Sequence, residues 1–182
     1  YLNAELYGEF DGKASAYDSE EHDDRWRRRI KADLVCVWGE PVDWFGTVPM
    51  GREEAERDRL AFQLEYIYHT AEAVMRRDLS SEVERLSAEY LTLALCNTLR
   101  NVGRHSPGVY AARFGDVVPD PAENQSELED EAYWSSRDDP PLLRRFITEA
   151  LPTIRDRAGE QLDSMGYERP GEGWTTGLEG RS

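Results

Sequence analysis

Apolar residues recur every three or four positions along most of the chain, a spacing that predicts amphipathic α-helices. The strongest pattern predicts a long helix from about Glu53 to Arg77. Its apolar stripe consists of Leu60, Leu64, Ile67, Tyr68, Ala71, Val74 and Met75. A second long helix is predicted to open at Ser81-x-x-Glu84, the pattern of a capping box, and to run to about Val102. Its apolar residues cover more than one face, so we expect it to lie centrally and to pack on several neighbours.

Shorter helices are predicted on both sides of this pair. Before it, Trp26, Ile30 and Leu34 recur every four residues, and Gly39 stops the pattern. After it, the Ser106-Pro107 pair predicts the cap and the first turn of a new helix.

The C-terminal third contains a polar stretch and a further helical pattern. Residues 116–141 are rich in acidic side chains and predict a long loop with room for one helical turn. From Asp139 another helix is predicted, and Pro152 is expected to kink or end it because proline lacks the backbone N–H. The helical pattern then continues to Gly166.

Together these elements predict an all-α fold, an up-and-down bundle of four to five helices with a short irregular or β lead-in. We expect the lead-in over residues 1–18, the helical bundle over residues 19–168 and a flexible tail over residues 169–182.

The composition of the chain limits the kinds of molecules that it is expected to bind. The 182 residues carry 37 acidic and 22 basic side chains, a formal net charge of −15. Such a chain repels nucleic acid unless its basic residues cluster, and it attracts polycations. No apolar run in this sequence approaches the roughly 20 residues that span a bilayer, and we expect no signal peptide. Cys36 and Cys96 lie in apolar runs, which indicates buried thiols in a reducing cytoplasm, so we predict a cytoplasmic protein without nucleic-acid or membrane partners.

One basic motif allows two interpretations. Arg100 is followed five residues later by His105, and this Arg-x4-His spacing resembles the signature of helical-bundle ribonucleases that prokaryotes use as toxins. That resemblance implies an acid–base histidine and a phosphate-binding arginine at a homodimer groove. The alternative is a basic helix C-terminus that complements the helix dipole before a capped turn.

Three segments in order resemble a different family. "AELYGEF", "VWGEPVDWFGTVP" and "LTLALCNTLRNVGRHSPGVYAARF" together span about residues 1 to 115. They are similar, in this order, to the C-terminal part of the aminoglycoside adenylyltransferases, the streptomycin/spectinomycin-type nucleotidyltransferases.

The resemblance implies that catalysis and substrate binding belong to different domains. An α/β domain upstream of Tyr1 would hold ATP and magnesium and supply the catalytic carboxylates, so no catalytic or metal-binding residue is expected in this chain. The helical part would close the cleft over a cationic substrate. By position, Glu9, Phe10 and Glu84 are expected to bind substrate.

The chain lacks the basic side chains that the family has at two positions. The nucleotide-contacting arginine of the family falls on Leu95, or on Asn97 if a gap is allowed, and a lysine falls on Gly108. We expect nearby cations to face the nucleotide instead. These are Arg100, Arg104 and His105.

The predicted function is therefore the helical substrate-binding domain of an aminoglycoside-nucleotidyltransferase-like protein. It would partner an N-terminal nucleotidyltransferase domain that transfers a nucleotide monophosphate from NTP to a hydroxyl of a cationic small molecule. The alternatives are the Arg-x4-His ribonuclease and a non-catalytic acidic interaction domain.

Overall fold

A computed structural model describes residues 28–36, 50–134 and 141–167. Every regular element within these ranges is helical, which confirms the predicted all-α class. The predicted lead-in, the tail, Trp26 and Gly39 lie outside the described residues.

The helices follow the apolar pattern closely at the centre of the chain. In order they are α1 (residues 28–36), α2 (Arg52–Met75), α3 (Glu82–His105), α4 (Pro107–Arg113), α5 (Pro121–Trp134), α6 (Pro141–Arg145), a π-helical segment (Phe146–Ala150) and α7 (Leu151–Ser164). The two predicted long helices are α2 and α3, and α3 runs one turn further than the sequence indicated.

The chain divides into two compact units, and the boundary falls within α2, after Arg59. In the first unit, Ala32 and Val35 of α1 form a small core with Met50 and Ala55. The guanidinium of Arg28 makes a two-pronged ion pair with Asp58, which is only 1% exposed. This pairing satisfies a carboxylate that would otherwise be buried without a partner.

The second unit, from Leu60 to Thr176, contains the larger core. Helix α3 packs against α5 and α4, α4 packs against α7, and α5 packs against α6. The largest fully buried side chains here are Leu64, Ile67, Val74, Leu95, Leu99, Val102, Phe114, Leu143, Leu151, Ile154 and Leu162. They recur at helical spacing along each element, so burial of one apolar face per helix holds this unit together.

The start of α3 departs from two predictions. Ser81 makes no side-chain cap hydrogen bond, and Glu84 accepts a hydrogen bond from Arg77 instead, at 3.0 Å, so the capping-box prediction is wrong. The first turns also leave apolar side chains in solvent, with Val83 75%, Leu86 39% and Tyr90 48% exposed. The buried residues of α3 begin at Arg85 and follow the three- and four-residue spacing of a single helix face, so α3 contacts its neighbours with one face rather than with several.

The polar stretch before α6 is a helix rather than the predicted loop. Asp120 caps α5, since its Oδ1 accepts from the N–H groups of Ala122 and Glu123 at 2.9 Å and 3.0 Å. Pro121 occupies the first turn, where its missing N–H costs nothing. Only a few apolar residues, Leu128 among them, mark the buried side, so the apolar periodicity of this helix is weak.

Pro152 does not end the helix, since α6, the π-helical segment and α7 follow one another without a break. The turn before it, Phe146–Ala150, widens into a π-helix in which the N–H of Leu151 donates to the carbonyl of Phe146. Proline cannot donate a hydrogen bond and its ring crowds the preceding turn, so widening that turn accommodates it while the chain continues as α7. Helix α7 closes at Gly166, whose φ of 79° suits glycine.

Candidate functional site

The basic end of α3 is presented to solvent. Arg100, Arg104 and His105 are all exposed, and Arg104 and His105 occupy the last turn. Five residues on an α-helix correspond to a rotation of about 140° beyond a full turn, so Arg100 and His105 leave α3 on different sides. The Nη1 of Arg100 lies 3.5 Å from Oε1 of Gln125 in α5. Arg100 and Arg104 are four residues apart and share one face of α3, whereas His105 lies on another side, so the three cations do not form one cluster.

The connection from α3 to α4 is short and closely packed. Ser106 links the helices, and Pro107 is at the first turn of α4 as predicted, although Ser106 makes no side-chain cap hydrogen bond. The ring of Tyr110 lies against Gly103, and its hydroxyl donates to the carbonyl of Val118. Burial, with a smaller contribution from Asp120, raises the pKa of Tyr110 to about 12, so this phenol acts as a neutral structural donor.

The positions at which the chain departs from the family pattern differ in exposure. Leu95 is fully buried in the core and has no access to a nucleotide, whereas Asn97 is exposed. Gly108 is exposed, with open space where a side chain would begin. Replacement cations on this end of the molecule therefore have to come from neighbouring positions.

The predicted substrate-binding residues are only partly described. Glu9 and Phe10 lie outside the described residues. Glu84 lies in the first turn of α3, and its Oε2 accepts the 3.0 Å hydrogen bond from Arg77. That ion pair closes the turn between α2 and α3, so the Glu84 carboxylate is engaged within the fold.

A pocket of about 260 Å³ lies elsewhere in the same unit, between α5, α6 and the π-helical segment. Leu128 and Phe146, both buried, form part of its apolar lining. Carboxylates approach from two elements, Glu127 from α5 and Glu149 from the π-helical segment. The arrangement can hold a small molecule with an apolar body and a positive charge.

Two hydrogen-bond systems fix the walls of this pocket. The buried carboxylate of Glu131 accepts from the N–H groups of Leu142 and Leu143, at 2.9 Å and 3.0 Å. It thereby caps the start of α6 from the neighbouring helix α5, where a negative charge also suits the helix dipole. At the other side, the Asn124 side-chain N–H donates to the Sγ of Cys96 in α3, at 3.5 Å.

The sequence alone did not indicate the pocket residues. Glu127 and Asn124 fall in the stretch that was predicted as a loop, and Glu149 and Phe146 precede the proline that was expected to disturb the helix. The usable signal was Asp120-Pro121, a cap followed by a first-turn proline, which marks the start of a helix independently of apolar periodicity.

Within the described ranges, no group of histidine, cysteine, aspartate or glutamate side chains is arranged to hold a metal ion. These residues therefore offer no fit for the magnesium that accompanies ATP. Among the same residues, no helix combines the length and apolar character needed to cross a bilayer.

Comparison with known proteins gives no family. The chain matches no protein-family model, no curated protein and no solved structure.

Proposed function

We propose that this chain is the helical substrate-binding domain of an aminoglycoside-nucleotidyltransferase-like protein. A separate nucleotidyltransferase domain would bind ATP and magnesium and transfer the nucleotide monophosphate to a hydroxyl of a cationic substrate. The helical domain would supply substrate contacts and cleft closure.

The helix–turn–helix formed by α3, Ser106 and α4 is the observation that supports this proposal. The third segment of the resemblance corresponds to a helix, a turn and a helix, and the same residues form a long helix, a one-residue connection and a proline-initiated helix. The exposed Arg104 and His105 stand at that connection. The carboxyl end of a helix repels anions, so a triphosphate at this end depends on such side-chain cations.

Charge supports the substrate class. A net charge of −15 produces a negative field that draws cations toward the protein and raises their association rate. Aminoglycosides carry several ammonium groups, and carboxylates bind such groups by charge-assisted hydrogen bonds.

Calorimetric titration of the natural full-length protein with ATP and with a panel of aminoglycosides tests the proposal. We expect both ligands to bind, and Arg104→Ala to weaken ATP binding by about three- to tenfold, as the loss of one charged contact predicts. Arg144→Ala removes an equal charge from the exposed face of α6 and should leave ATP affinity unchanged. Unchanged nucleotide affinity in Arg104→Ala would remove the proposed role of that residue.

A ribonuclease is the second candidate, because Arg100 and His105 are both solvent-exposed and open to a second copy of the chain. Incubation of the same preparations with single-stranded RNA separates the candidates. Cleavage that disappears in His105→Ala would favour the ribonuclease, whereas intact RNA together with ATP binding favours the nucleotidyltransferase.

A further inference from the structure

We propose that the pocket between α5 and the π-helical segment is a binding site for a small organic monocation with a compact apolar body, such as an arylalkylammonium. The site goes beyond the proposed function, because none of its residues belongs to the sets that the family resemblance named. Its volume of about 260 Å³ lies below the roughly 300–1,000 Å³ of pockets that enclose drug-sized ligands, so it suits one ring rather than a linked aminosugar.

The charges around the pocket favour a single positive charge. Within the described part of the chain, the carboxylate of Glu127 makes no ion pair or side-chain hydrogen bond. Glu149 pairs with Arg145 only at the outer limit of an ion pair, with 4.0 Å between Oε2 and Nε. Two carboxylates and one guanidinium leave one net negative charge at the pocket. This charge attracts a monocation and repels an anion.

The lining supplies the contacts that an apolar body needs. Leu128 and Phe146 are buried, and Leu142 and Val117 contribute partly buried apolar surface beside them. A phenyl ring next to carboxylates also attracts an ammonium or its adjoining methylene groups through cation–π and apolar contact.

Asn124 provides an oriented acceptor. Its Nδ2 donates to the Sγ of Cys96, which leaves the amide oxygen as the remaining polar atom of that side chain. Among the described residues, no donor to this oxygen is present. An ammonium group can donate one hydrogen bond to this oxygen and another to Glu127, one helical turn away.

Titration of the full 182-residue chain with benzylammonium, followed by ¹H–¹⁵N correlation spectra, tests the site. We expect binding with a Kd on the order of 1 mM, as befits a fragment-sized ligand, and shifts of the amide signals of α5 and the π-helical segment. Benzyl alcohol and benzoate have the same ring without the positive charge, so they should bind more weakly, benzoate least of all.

Charge-neutral variants locate the ammonium. Glu127→Gln and Glu149→Gln should each weaken benzylammonium binding by about three- to tenfold, because each loses a charge-assisted contact. Glu123 lies one turn earlier on α5, outside the pocket, so Glu123→Gln should leave the affinity for benzylammonium unchanged. Ala150→Leu fills the pocket and should abolish binding, with circular dichroism confirming that each variant keeps its helices.

Several outcomes would overturn the proposal. These are the absence of benzylammonium binding, equal binding of benzyl alcohol, equal loss of affinity in Glu123→Gln, and unchanged binding in Ala150→Leu. None of them affects the ATP titration, so this site and the nucleotidyltransferase proposal can fail independently.

Discussion

In a chain this acidic, a carboxylate is distinguished by its partner rather than by its charge. Glu131 accepts two backbone N–H groups in the interior, and Glu84 accepts from Arg77, so both serve the fold. Glu127 and Glu149 instead border a pocket with an apolar lining. Placement therefore singles out two carboxylates for ligand binding where composition gave no preference among 37 acidic residues.

Two glycines at helix ends should respond oppositely to the same substitution. Gly103 has helical backbone, and an added Cβ would meet the Tyr110 ring at 3.5 Å, an ordinary contact distance. We expect Gly103→Ala to raise the free energy of unfolding by about 0.5–1 kcal/mol, because alanine loses less backbone entropy in a helix. Gly166 has a φ of 79°, so Gly166→Ala should lower it by about 1 kcal/mol.

Urea unfolding followed by circular dichroism measures both changes. The paired design controls for the substitution itself, since the added methyl group is identical and only the backbone conformation differs. If Gly103→Ala is destabilised instead, the added methyl group has too little room beside the Tyr110 ring, and the 3.5 Å spacing is too large.

At the scale of elements, the sequence predicts a helix reliably where apolar spacing and burial coincide. Helices α2 and α3 bury long stripes and were predicted within a few residues. Helix α5 was missed because its stability depends on a cap at Asp120 and on packing against α3 rather than on a long stripe of its own. The π-helical segment was missed because a proline signals disruption without specifying whether the chain ends, kinks or widens. The sequence could not indicate the pocket residues either, since Glu127 and Glu149 lie on the two elements that were missed.

The link between α5 and α6 depends on Glu131, which is only 7% exposed. We expect Glu131→Gln to lower the free energy of unfolding by about 1–2 kcal/mol, because one backbone N–H group would face the amide NH2 without an acceptor and the other would keep only a neutral acceptor. Since Glu131 also fixes the walls of the pocket, benzylammonium binding should weaken in the same variant. Asp130→Asn makes the same charge change at the exposed neighbouring residue and should leave both quantities unchanged.

Urea unfolding and calorimetric titration check the two readouts separately. A loss of stability without a loss of binding would show that the pocket keeps its shape when the cap is weakened. No change in stability would contradict the capping role of Glu131.

For the molecule as a whole, a charge of −15 on 182 residues means that the folded state brings like charges together. Ion pairs such as Arg28 with Asp58 and Arg157 with Asp116 offset part of this repulsion. They cannot remove it, because acidic residues outnumber basic ones by 37 to 22. Screening by salt therefore has two opposite effects, relief of the net repulsion and weakening of the individual pairs.

At pH 7 the first effect should dominate, so salt should stabilise the fold. Between about 0.1 M and 1 M NaCl the Debye length falls from about 10 Å to about 3 Å, and we expect the free energy of unfolding to rise by on the order of 1 kcal/mol. Near the isoelectric point of about 4.6 the net repulsion disappears while ion pairs persist, so the same salt increase should give no stabilisation or a small loss. Thermal unfolding at both pH values, with sucrose in place of salt as the uncharged control, measures the difference. Equal salt effects at the two pH values would mean that ion-specific or hydrophobic contributions, rather than net charge, govern the stability of this protein.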